Sequence, residues 1–95
     1  MKILVSSKSL YAALKRIDFD GGEEVQFISL TEDRKLMINT NIRTIELPVE
    51  ILSYASAVSQ SDVRWDWLRE TLRRIEEQPV IVEIKRNIVN LIFQY

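Results

Sequence analysis

Reactive side chains are scarce in this sequence, and that scarcity narrows its chemistry. Neither histidine nor cysteine occurs among the 95 residues, which removes imidazole-activated catalysis, disulfides, and thiolate or imidazole metal sites. Ser6, Ser7 and Ser9 are spaced as helix-start residues rather than nucleophiles, since no imidazole exists to activate them. Glu46 and Glu50 would share one face of a strand with Pro48 between them, and paired carboxylates can do acid and base work. Nothing apolar surrounds them to shift a pKa, so they read as solvated edge charges that block unwanted strand pairing. Gly21-Gly22 lacks the spacing and lysine of a phosphate-binding loop and reads as a turn. The expectation is a non-catalytic protein with no cofactor, metal site or small-molecule substrate.

The remaining candidates are cations and aromatic residues on two helical stretches. The first begins at Ser6 to Ser9 and carries Leu10, Ala13, Leu14 and Ile17 on one face, and it offers Lys8, Lys15 and Arg16 against Asp18. The second runs from Trp65 to Glu77 behind Asp62 and is stopped by Pro79. It offers Arg64, Arg69, Arg73 and Arg74 against Asp66, Glu70, Glu76 and Glu77. Glu70 with Arg74 and Arg73 with Glu77 are spaced to pair within the helix. Trp65 and Trp67 lie two apart and cannot both share the stripe of Leu68 and Leu72, so one of them is exposed or at a contact. Trp67, Pro48 and Tyr95 are the protein-interface candidates.

These helices need strands to cover their apolar stripes. Ile3 to Val5 are β-prone. Val25 and Phe27 alternate with Glu24 and Gln26, and Thr31 to Lys35 supplies a hairpin turn into Leu36 and Ile38. Ile45 to Ile51 is the clearest alternation, and Pro48 confines that strand to an edge or a bulge; a short helix starting at Pro48 is the competing reading. Ser53 to Ser61 is an uncharged serine and alanine connector. Val80, Val82 and Ile84, then a turn at Lys85-Arg86-Asn87, then Val89, Leu91, Phe93 and Tyr95 complete the chain. Hairpin-length turns make the strands antiparallel, so the fold class is α+β, with two helices on one face of an antiparallel sheet.

The pattern repeats. Leu10, Leu14 and Ile17 recur as Leu68, Leu72 and Ile75, and Val25, Phe27, Leu36 and Ile38 recur as Val80, Val82, Leu91 and Phe93. A single domain over 1–95 thus divides into pseudo-repeat halves 1–52 and 62–95 joined by connector 53–61. Hydrophobic residues at 46% and charged residues at 28% exclude a disordered or fibrous chain. The net charge of -1 excludes nucleic-acid coating through bulk positive charge but permits a local basic face. No run approaches the ~20 apolar residues of a membrane span, and the amino-terminal apolar run is too short for a signal peptide, so the expected location is cytoplasmic.

Strand, helix with Ser-Lys-x-Leu-(x)3-Leu-(x)2-Ile, hairpin and strand, followed by a second helix and hairpin, resembles one domain of the bacterial sliding clamps, the beta subunit of DNA polymerase III. The segments Met1 to Ile17 and Leu68 to Ile84 carry the likeness. The resemblance implies a non-catalytic DNA-replication or repair role. Family members build a ring of six such domains, helices lining a hole around duplex DNA and sheets outside. By that resemblance Lys15, Arg16, Arg69, Arg73 and Arg74 would face phosphates. The usual chain of the family holds three domains, so a single domain would have to act as a homo-oligomer. A protein-interaction module of the same fold, without nucleic acid, is the alternative.

Overall fold

Strand and helix signals at the amino terminus meet at Ser6. Ile3 and Val5 are buried on β1 (Lys2–Ser6), and the Ser6 hydroxyl accepts the Ser9 amide at 3.2 Å to cap α1 (Ser7–Lys15). The chain then turns at Asp18, whose carboxylate accepts the Gly21 amide at 3.0 Å, and at Gly22, whose φ of 93° is open to glycine at no steric cost. The strands that follow are β2 (Val25–Leu30), β3 (Lys35–Thr40), β4 (Thr44–Pro48), β5 (Glu50–Ser53) and β6 (Val58–Ser59). After α2 (Trp65–Arg73) come β7 (Pro79–Lys85) and β8 (Ile88–Phe93). The computed structural model describes residues 1–93; the interface candidate Tyr95 lies outside them.

The class is α+β as expected, but the strands form two antiparallel sheets rather than one. Sheet A has the order β5-β1-β7-β8 and sheet B the order β4-β3-β2-β6. The expected strand from Ile45 to Ile51 is the place where they part. Pro48 has no amide hydrogen to continue a ladder, so β4 ends there against Lys35, and after Val49 the chain enters sheet A as β5 against β1. Glu46 and Glu50 therefore sit in different sheets. Pro48 begins no helix; the segment to Ser53 is extended. The connector also contributes a strand, β6, which pairs with Phe27 and Ile28 of β2.

The topology has an approximate two-fold logic. The strand leading into each helix pairs with the hairpin of the other half: β1 with β7, and β6 with β2. The repeat alignment needs correction within the hairpins. A bulge between Val25 and Phe27 reverses the alternation, so Phe27 points outward while Ile28 and Leu30 face the core. By register, Ile28–Ile38 and Leu30–Leu36 occupy the places of Val82–Leu91 and Ile84–Val89. The core joins both sheets and both helices through Ile3, Leu10, Leu14, Ile28, Ile38, Ile45, Trp65 and Ile84.

One buried charge locks the turn after α1 to the β3–β4 turn. Glu23 is fully buried, and its carboxylate accepts the Thr40 hydroxyl at 2.7 Å, the Asp18 amide at 3.0 Å and the Arg43 guanidinium at 2.9 Å. Burial alone would raise its pKa, but these three donors outweigh it and hold the carboxyl below the ordinary glutamate value. The folded pKa thus lies below the unfolded one. The stabilisation is complete above the unfolded value and is lost as pH falls through the folded one. Glu23→Gln should cost about 2 kcal/mol in urea unfolding at neutral pH, with the gap to the native protein closing in acid. A gap that is independent of pH would contradict this account.

Candidate nucleic-acid interface

Each helix buries one stripe and leaves another in solvent. On α1, Leu10, Ala13 and Leu14 face inward, and Lys8, Ser9, Ala12 and Lys15 face outward. The helix contains no acidic residue, and Lys15 lies in its last turn, where a cation complements the helix dipole. On α2, Trp65 and Leu72 are buried, and Trp67 and Thr71 lie along the outer face, flanked by exposed Arg64 and Arg74. Of the two tryptophans, Trp65 is 2% exposed and Trp67 is 66% exposed.

The two helices pack against each other and run antiparallel. At one end the Ser7 amide donates to the Gln78 carbonyl at 2.9 Å, and the Gln78 amide donates back to the Ser7 hydroxyl at 3.0 Å. At the other end the Arg69 guanidinium lies 5.2 Å from the centre of the Phe19 ring, just beyond α1. Lys15 and Arg16 therefore lie towards the amino-terminal half of α2, and Arg73 and Arg74 lie towards the start of α1. The five expected cations are distributed along one helical layer.

Their pairing differs from the expected i,i+4 pattern. Helix α2 stops at Arg73, capped by Arg74, so Glu77 is no longer one turn away from Arg73 on a helix. Glu77 instead accepts the Ser6 hydroxyl at 2.7 Å, a bond that holds its pKa below the ordinary value. Arg73 turns back to Glu70 at 3.0 Å, and Arg69 approaches the same carboxylate at 3.8 Å. Glu70 thus serves Arg69 and Arg73, and Arg74 is left without it. Among the described residues, Lys15, Arg16 and Arg74 make no ion pair. Arg64 is engaged twice, bound to Asp66 at 2.8 Å and stacked 4.6 Å from the centre of the Trp67 ring.

The interface candidates do not share an element. Trp67 projects from α2, whereas Pro48 is exposed at the end of edge strand β4. The carboxylates considered for acid and base work are also apart: Glu46 is 3.5 Å from Lys35, whose pKa it raises together with Asp33, and Glu50 belongs to the other sheet. No group of three acidic, histidine or cysteine residues among those described could hold a metal ion. No helix is long and apolar enough to cross a membrane.

No protein-family model, curated protein or solved structure matches the chain.

The sequence reading missed a cleft of about 190 Å³ between the turn after α1 and the start of α2, lined by Phe19, Glu24, Asp62, Arg64, Trp65 and Asp66. It also missed the Glu23 cluster, whose only sequence signal is an acidic residue directly behind the glycine pair. The contrast between the tryptophans is directly measurable. In iodide quenching of the native protein, Trp67→Phe should remove most of the quenchable emission and leave a blue-shifted, protected signal from Trp65. Equal quenching before and after the substitution would contradict the assigned burial.

Proposed function

We propose that this chain is a non-catalytic, clamp-like DNA-associated protein that acts through self-assembly. The observation that carries the reading is the helical layer where, among the described residues, Lys15, Arg16 and Arg74 make no ion pair while Asp66 and Glu70 of α2 are paired with neighbouring arginines. Affinity for DNA comes from unpaired cations that displace condensed counterions from phosphates, and paired arginines contribute less. Arg69 and Arg73 share one glutamate between them, so at most one of those charges is locally neutralised.

The architecture supports the same reading. Two antiparallel helices pack together in a fold of two four-stranded sheets, with the halves related by an approximate two-fold; the resemblance to sliding clamps implies helices on one side and sheets outside. The near-neutral net charge is compatible with it, because cations gathered on one layer give a local field that the sum over the molecule hides. One such domain cannot encircle a duplex, so assembly is part of the proposal. A protein-interaction module of the same fold is the second reading. It is favoured by Trp67, a large exposed aromatic of the type that anchors protein contacts.

Duplex binding followed by fluorescence anisotropy separates the two. With three phosphate contacts, raising salt from about 50 to 200 mM should weaken binding roughly 40-fold. Arg16→Glu combined with Arg74→Glu should weaken it at least about tenfold at the lower salt, whereas Arg86→Glu, in the turn between β7 and β8, should leave it unchanged. Binding indifferent to salt and to the double charge reversal would sink the DNA reading.

A further inference from the structure

The four sheet edges are not equally protected. Strand β6 is only two residues long. Strand β4 carries Glu46 and ends in Pro48. Strand β5 has four residues, begins with Glu50 and meets β1 across an irregular register. Short length, charge, proline and bulges are the devices that keep edges from pairing. Strand β8 has none of them. It is six residues long, uncharged, free of proline, and in unbroken register with β7 from Lys85–Ile88 to Val80–Phe93.

This edge is also apolar on both faces. Ile88 and Ile92 are 51% and 43% exposed on the outer face, while Val89, Leu91 and Phe93 are only half-buried on the core face. In sheet B the equivalent margin beside β3 is covered by β4; among the described residues no strand covers β8.

The order of side chains specifies the occupant. Ile88-Val89-Asn90-Leu91-Ile92 has the same succession of chemical types in both directions. Antiparallel pairing about a two-fold axis through Asn90 sets Ile88 against Ile92, Val89 against Leu91, and Asn90 against its own copy. Every side chain meets its like, and no charge meets a charge. We infer that β8 binds β8 of a second copy of this chain in that register, joining the two copies of sheet A into one continuous sheet. The axis is perpendicular to the sheet, so both helix pairs lie on the same side. This inference rests on the self-assembly part of the proposed function and requires no DNA.

Sedimentation equilibrium without DNA tests it. The native protein should rise with concentration from its monomer mass of 11.2 kDa to twice that value. Asn90 is exposed and lies opposite Glu83 of β7, which already pairs with Lys2 and Lys85, and Asn90→Lys sets two lysines face to face at the axis. It should weaken dimerisation at least about tenfold, with the circular dichroism spectrum unchanged and the same melting temperature at concentrations where both proteins are monomeric. Asn90→Cys, the only cysteine in its chain, should form a disulfide-linked dimer on mild oxidation, because opposed residues lie roughly 4.5–5.5 Å apart; a cysteine at Arg86 should not.

Assembly that Asn90→Lys leaves intact, or an Asn90→Cys protein that fails to cross-link, overturns the β8 interface while the assembling reading stands. A native protein that stays monomeric at every concentration overturns both. Loss of the DNA reading alone leaves the dimer in place.

Discussion

Strand exchange between the two halves is the constraint on which the rest of the structure depends. Each hairpin pairs with a strand from elsewhere in the chain: β2–β3 with β6 of the connector, and β7–β8 with β1 of the first half. Because β1 runs directly into α1, its pairing also sets where that helix begins. Ser6 ends β1 and caps α1, so the start of α1 is fixed beside the Gln78 backbone that leads into β7. The antiparallel placement of α1 and α2 follows from this geometry, and with it the distribution of cations over one layer.

What the sequence showed was governed by local rules. The start of α1 was legible because Ser6 does what a serine does ahead of an apolar helical stripe. Both hairpins were legible because their turns, at Thr31 to Arg34 and at Arg86-Asn87, separate short apolar alternations, and Arg34 and Asn87 take positive φ there. The features that were not legible depend on partners distant in sequence. The bulge that turns Phe27 outward is seen only in the pairing of β2 with β3. The division at Val49 needs two sheets, and Ile45 to Ile51 shows the same alternation whether it lies in one sheet or crosses between two. Strand β6 exists because β2 has an edge to offer, not because Val58 and Ser59 demand extension. Helix α2 ends at Arg73, short of the expected Glu77, and Glu77 accepts the hydroxyl of Ser6, some seventy positions away in the chain.

The pairing expected for the candidate cations differs from the one observed. Lys15, Arg16, Arg73 and Arg74 are exposed, whereas Arg69 is half-buried with its guanidinium over the Phe19 ring. Spacing could not reveal that Glu70 would be shared and Glu77 withdrawn, which leaves Arg74 free of its expected neighbour. The electrostatics of the layer therefore depend on where the helix stops as much as on its composition. The Glu23 cluster shows the opposite use of charge: a carboxylate taken out of water, with donors from a hydroxyl, an amide and a guanidinium to offset its desolvation.

The exchange of leading strands also fixes an order of events in folding. Sheet B can begin from β2, β3 and β4, which are neighbours along the chain and close with short turns, at little loop entropy. Strand β1 is synthesised first and can pair with β5, but it meets β7 only after α2 has been made, so sheet A is completed late. A chain built this way completes the pairing of its first strand late, and that step joins the amino-terminal strand to the last hairpin.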